Sequence, residues 1–187
     1  ASIYLRNNVR LVGEAGKTVL AMTPAKPRVR LAQDGKRFVR QITLADSSKY
    51  KVGDGITISD TRNATGFMVT TATLAKDLGG GTFALDTYLR FDYDVNRDAT
   101  VRSAYPIVTG WKVNDVAVEG VTVEGNWKQS QTEHIGGCRG GGIYFHECRN
   151  VLVRSCTVRH YHGDGISFQW NSANGTVEDC TGEDTSG

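Results

Sequence analysis

Long apolar runs are missing from this sequence. No stretch of about 18 consecutive apolar residues occurs, so no membrane-spanning helix is written into the chain and no membrane partner is expected. Proline is nearly absent, with three residues against 22 glycines. Helical periodicity is missing as well, since only 71–78 (TATLAKDL) shows a short amphipathic pattern. These shortages exclude a helical fold and favour short strands broken at glycine turns. Cysteine is sparse, at positions 138, 148, 156 and 180. Cys138 and Cys148 have no metal-ligand spacing to each other, and the set leaves the redox compartment open. Net charge is only +2, and no recognised binding motif accompanies the basic residues, so nucleic acid is not an expected partner. No signal segment is visible, which carries no weight. Residues 2–5 (SIYL) already read as a strand, and the last coil breaks off uncapped, so the chain is expected to be a piece of a longer protein.

What is present is a repeat. Residues 150–157 (NVLVRSCT) line up with 174–181 (NGTVEDCT), a shift of 24, and a more diverged copy runs over 115–122 (DVAVEGVT). Gly142-Ile143 recurs at Gly165-Ile166, a shift of 23. A period between about 20 and 50 residues is the mark of a solenoid. Each unit holds three short runs of alternating apolar and polar residues, interrupted by Gly, Asn and Asp: strand, turn, strand, turn, strand. Stacked rungs lie about 4.8 Å apart, so Cys156 and Cys180 are expected in one interior ladder as small hydrophobes, a disulfide between them being possible but not implied.

This pattern resembles the right-handed parallel β-helix of the pectate-lyase-like superfamily. The resemblance is carried by Gly142-Ile143, Asn150-Val151, Cys156-Thr157-Val158, Gly163-Asp164-Gly165-Ile166 and Cys180-Thr181. It implies an all-β solenoid that works outside the cytoplasm (extracellular, periplasmic or at a cell surface) with a polysaccharide as partner. It also implies a binding groove along the outer face of one strand sheet. The clustered-Asp and Gly-His-Gly motif of polygalacturonase-type hydrolases is missing, as is the compact Asp set that binds calcium in pectate lyases. No cofactor is therefore expected, and calcium has no motif behind it.

In chain order, residues 1–25 read as a first coil, 26–106 as an insertion and 107–187 as the continuing coils. The insertion alternates without repeating. Its candidate strands are 28–31, 38–44, 55–59, 66–71, 82–86 and 99–103, with turns at Asp34-Gly35, Gly53-Asp54, Arg62-Asn63 and Gly79-Gly80-Gly81. A small antiparallel sheet or barrel on one face of the solenoid is the expected result. It is either a packing element or one wall of a substrate cleft. Charge is uneven: residues 1–51 hold eleven Lys or Arg against three acids, the remainder eleven against seventeen. A basic face of this kind suits an anionic polymer such as a uronate polysaccharide, a solvated strand surface being the plain structural alternative.

All four histidines fall between 134 and 162, and imidazole is the side chain suited to proton transfer near neutral pH. Strand alternation turns Ile143 and Phe145 inward with Ile166 and Phe168, leaving Tyr144 and His146 outward over Ser167 and Gln169. His160, Tyr161, His162 and Asp164 follow on the loop beside that face. Repeat register sets His160 against Asp184, His162 against Ser186 and Trp127 against His162. A carboxylate one rung away holds a histidine in one tautomer, and a tryptophan offers an apolar face to a sugar. Elimination from a uronate, or its epimerisation at carbon 5, needs a group to neutralise the carboxylate (Arg139 or Gln169) and a base and an acid shared among His162, His146 and Tyr144. Hydrolysis needs two carboxylates about 5 to 9.5 Å apart, for which Asp164 with Asp184 or Glu183 are the candidates. Asp164 has a turn-only alternative, because Gly-Asp-Gly-Ile recurs at 53–56. The contrasting expectation is a non-catalytic glycan-binding or structural β-helix of the tailspike or adhesin kind. Oligomeric state is left open.

Overall fold

The computed structural model describes residues 2–64, 66–130 and 140–185. It is an all-β protein, a parallel β-helix carrying an antiparallel β insertion. The first coil supplies β1 (Ile3–Tyr4), β2 (Arg10–Val12) and β3 (Val19–Ala21). After the insertion come β10 (Val108–Trp111), β11 (Asn114–Glu119) and β12 (Thr122–Glu124). The next coil contributes β13 (Ile143–His146), β14 (Arg149–Arg154) and β15 (Thr157–Arg159), and the last β16 (Ile166–Gln169), β17 (Ala173–Glu178) and β18 (Thr181–Glu183). They form three four-stranded parallel sheets in the orders β1-β10-β13-β16, β2-β11-β14-β17 and β3-β12-β15-β18.

The register follows the repeat. Ile143 pairs with Ile166 and Phe145 with Phe168, Val151 with Gly175, and Thr157 with Thr181. Inward residues of the three sheets make one core from Val108 through Val158, with Ile166, Phe168 and Cys180 packed against it. Phe145 and Phe168 stack with centroids 5.4 Å apart. Glycine makes room for them: a Cβ at Gly110 would meet the Phe145 ring at 2.8 Å, and one at Gly175 the Phe168 ring at 2.8 Å. The fully buried Phe145 contributes about 1.5–3 kcal/mol. Cys148, Cys156 and Cys180 are free thiols, and burial pushes the Cys156 thiol up from its ordinary pKa.

Corners between the sheets are made by left-handed residues that are mostly not glycine. Asp115, Asn150 and Asn174 hold φ of 57°, 54° and 56°, and their side chains form a ladder. Asn150 Nδ2 donates to Asp115 Oδ1 at 2.8 Å, and Asn174 Nδ2 donates to Asn150 Oδ1 at 3.0 Å. Short amide and carboxylate side chains tolerate this region because they bond locally. Here each bonds its own equivalent one rung away.

The insertion is a six-stranded sheet in the order β4-β9-β6-β7-β8-β5, made of β4 (Val29–Arg30), β5 (Gln41–Thr43), β6 (Gly55–Ser59), β7 (Thr70–Gly79), β8 (Thr82–Leu85) and β9 (Thr100–Ser103). It has a core of its own around Ile56, Ile58, Leu74, Leu89, Tyr93 and Val101. Two local expectations fail. The amphipathic stretch 71–78 is strand, within β7, because Thr70 to Thr73 pair with β6 while Lys76 and Asp77 pair with β8. Residues 66–68, expected to open a strand, form a 3-10 turn, and the strand begins at Thr70.

Candidate functional site

Register brings an aromatic row to the outer face of the first sheet. Thr109 lies beside Tyr144 and Trp111 beside His146; Ser167 and Gln169 follow on the next rung. The Trp111 and His146 rings stack with centroids 4.0 Å apart and planes 23° from parallel. Tyr144 and Trp170 flank them, each 6.2 Å from the imidazole. Tyr144 Oη lies 3.2 Å from His146 Nδ1, and His146 Nε2 lies 3.2 Å from Glu147 Oε1. A carboxylate only accepts, so Nε2 carries the ring proton and Nδ1 accepts from the Tyr144 hydroxyl. Lys112 Nζ stands 3.6 Å from the other Glu147 oxygen. Lys112 and Glu147 are equivalent left-handed corner residues, φ 53° and 54°, and the corner aims both along the outer face. The result is a hydroxyl–imidazole–carboxylate chain. Tyr144 itself is only 3% exposed.

Trp111 and Thr109 also line a cleft of about 600 Å³ between this face and the insertion. Tyr4 shares its solenoid side; Lys26, Lys51, Asp54, Asp86 and Tyr105 come from the other. Lys26 is ion-paired with Asp54, whose carboxylate also takes the Lys51 backbone N–H at 2.7 Å. Tyr105 Oη and Thr23 Oγ1 are 2.8 Å apart, joining the two chain crossings between coil and insertion.

A second polar cluster occupies the end of the third sheet. His160 Nδ1 is hydrogen-bonded to Glu124, which also takes the Arg159 guanidinium. His160 Nε2 lies 3.9 Å from Asp184 Oδ2, and Lys128 Nζ is 3.0 Å from the same carboxylate. Partial burial opposes ionisation of Glu124, but the bonds from His160 and Arg159 prevail and hold its carboxyl below the usual range. Lys128, then the Trp127 indole, do the same for Asp184. The Lys128 ammonium sits 5.5 Å above the Trp127 ring.

The remaining expected residues do not converge on either cluster. His162 is a correction: it is 1% exposed rather than on the groove, and neither ring nitrogen has a hydrogen-bond partner among the described residues. Burial lowers its pKa to about 4. Tyr161 is buried in the core beside it, ring centroids 5.9 Å apart. Strand alternation does not reach this segment, which is a corner, so two successive side chains turn inward. Asp164 accepts the Gly142 N–H through its backbone carbonyl at 3.1 Å, and no side-chain bond joins it to Tyr144, His146 or Asp184 among the described residues. Ser167 is buried with its hydroxyl unpartnered among them, and Gln169 is half-buried in the row beyond His146. Arg139, with His134, Cys138 and Ser186, lies outside the described residues.

Trp111, Glu147, Lys112, Trp170 and Glu124 escaped the sequence reading. A signal for four of them existed, since Lys112 and Glu147 are 35 residues apart. The 35-residue step that relates Asp115 to Asn150 also relates Trp111 to His146 and Glu124 to Arg159.

The chain belongs to the right-handed β-helix family: the family model described as "Right handed beta helix region" matches residues 93–187. Solved structures similar to it include the Gp54 tailspike of Acinetobacter baumannii bacteriophage AP22 in complex with A. baumannii capsular saccharide, at 13% identity and TM-score 0.39, covering 96% of this chain and 39% of that one. The Pseudomonas phage phi297 tailspike gp61 is similar at 10% identity and TM-score 0.39, covering 98% and 37%. The tailspike protein gp49 of Pseudomonas phage LKA1 follows at 14% and 0.34, covering 97% and 38%. The chain thus spans less than two fifths of the length of these proteins. No curated protein matches it.

Proposed function

We propose that this chain engages a polysaccharide along the outer face of the first sheet, with the cleft against the insertion as the place where the polymer is gripped. The observation that carries this reading is the Trp111–His146 stack, with Trp111 at the wall of a 600 Å³ cleft and Trp170 one rung further. Flat aromatic faces spaced along the solenoid axis suit successive sugar rings, and the cleft's lysines and carboxylates supply hydrogen bonds around their rims. Trp111→Ala is expected to weaken retention on the polysaccharide bound by wild type; unchanged retention defeats the proposal.

A second reading, acid–base chemistry on an acidic glycan by elimination or epimerisation, is favoured by the Tyr144–His146–Glu147 chain. Glu147 orients the imidazole, the imidazole takes the phenolic proton, and the tyrosine then exchanges a proton with the sugar. Hydrolysis by Asp164 with Asp184 or Glu183 finds no comparable support, since Asp184 is committed to Lys128 and His160. Incubation with uronate and neutral polysaccharides, followed by ultraviolet absorbance for unsaturated products and by NMR for inverted sugars, tests it. Tyr144→Phe keeps the ring and removes only the hydroxyl. It should lower the rate about 10²-fold or more. Activity untouched in that variant excludes the mechanism while leaving binding intact.

A further inference from the structure

The insertion displays an aromatic residue where the backbone least tolerates one. Phe38 has φ 68°, a left-handed conformation that glycine adopts freely and a bulky residue does not. The conformation is imposed by neighbours: Phe38 N–H donates to Leu89 O at 2.8 Å, Leu89 N–H donates to Val39 O at 2.8 Å, and Arg37 N–H donates to Asp92 Oδ1 at 2.9 Å. Yet the ring so presented is 66% exposed and contributes little to any core. Tyr88, 45% exposed, stands beside it with centroids 5.8 Å apart at 55°. The Arg37 guanidinium lies 4.5 Å from the Phe38 centroid. Strain retained without burial points to function rather than stability.

Charge points to the occupant. Of the bases between 26 and 40, Lys26, Arg28, Arg30 and Lys36 are each paired with a carboxylate. Arg37 and Arg40, which bracket the exposed ring, make no ion pair among the described residues. Two guanidinium groups without a carboxylate partner therefore flank Phe38 in sequence, that of Arg37 lying over its ring, while the nearby Asp92 carboxylate is taken up by the Arg37 backbone N–H. Such a pair is too small for a stable protein interface, which buries at least about 1,200 Å², but matches one sugar ring. Position points the same way. Asp86 lines the cleft, and Tyr88 is two residues further along the same loop, within about 7 Å of backbone.

We propose that Phe38 and Tyr88, with Arg37 and Arg40, form a second saccharide site on the insertion, which takes an acidic pyranose residue of a polymer. The apolar face of the sugar lies on the rings, and its carboxylate meets the guanidinium groups. This goes beyond the cleft and does not depend on Trp111.

Native gels of the 187-residue chain, cast with polygalacturonate, alginate or neutral dextran, test it. Phe38→Gly relieves the left-handed strain while removing the ring, and Tyr88→Ala removes the second ring; neither changes charge. The expected result is that an acidic polymer retards wild type, each variant is retarded about tenfold less, dextran retards none, and Phe38→Gly melts at or above the wild-type temperature. Undiminished retardation of Phe38→Gly overturns the proposal. So does failure of both acidic polymers to retard wild type, retardation by a single-stranded oligonucleotide in their place, or a lowered melting temperature, which would make the ring a structural contact. Loss of retardation in Trp111→Ala with none in Phe38→Gly would defeat this site and leave the cleft standing.

Discussion

Coils and insertion are built from the same kind of short, Thr- and Val-rich strands, yet they hold together differently. In the coils, like meets like: Phe145 stacks on Phe168, Asn150 bonds Asn174, and Ile143 pairs with Ile166. At these positions one rung repeats the solution of the next. In the insertion, unlike groups converge on single points. The buried Asp60 carboxylate accepts the backbone N–H groups of Arg62, Asn63 and Asp94 at 3.0, 2.7 and 3.1 Å and the Arg97 guanidinium at 3.0 Å. Desolvation opposes its ionisation, but those donors win and hold its pKa below the usual value. Each region should therefore fail in its own way, damage to a coil spreading through neighbouring rungs and damage to the insertion staying at its hub.

Removing a rung from the inner stack should be felt most. Phe145→Ala is expected to destabilise by about 3–5 kcal/mol, with hydrogen-exchange protection falling in β13, β14 and β16 alike. Protection lost in β13 alone would break the picture of coupled rungs. Asp60→Ala leaves several donors unmet and should cost roughly 3 kcal/mol. Exchange should then rise across 29–103 while the coils stay protected; an equal rise in both would show that the two regions unfold as one.

Acid separates them further. His162 has a native pKa of about 4 against an ordinary value near 6.5. The unfolded chain therefore binds the extra proton first, and its contribution is intact above pH 6.5 and lost as pH falls towards 4. The coils' stability against chemical denaturant should fall over that window by about 3 kcal/mol, and His162→Phe should flatten the slope. Asp60 acts lower. Its native pKa is depressed, so its contribution is complete above about pH 4 and disappears below it. The smallest effect belongs to the corner ladder. Asn150→Ala loses a bond on each side and strains a left-handed residue, for about 1–2 kcal/mol. Asn150→Gly, free of the strain, should cost less. Equal losses in the two would mean that the corner is not left-handed in solution.

How far the residues foretold this structure differs by region. In the coils the shifts of 23 and 24 residues predicted rung partners correctly, down to which face Ile143 and Phe145 take. The pairing of Tyr144 with His146 was reachable by alternation along one strand, and that of His160 with Asp184 by register alone. His162 was misplaced because it sits in a corner, where neither alternation nor the 24-residue step constrains direction. Glu147 was passed over for the converse reason: its left-handed backbone swings the side chain back onto the strand face. The insertion yielded most of its strand positions but not their order, which follows no repeat.

Periodicity alone determined the solenoid, its rung partners and its inner ladder, because hydrogen bonds between parallel strands force each residue above its equivalent. The cleft, the buried imidazole and the strained aromatic of the insertion were decided only by tertiary contact. Each depends on segments distant in sequence meeting at corners and loops, where the backbone follows no period and the neighbours choose the direction of every side chain.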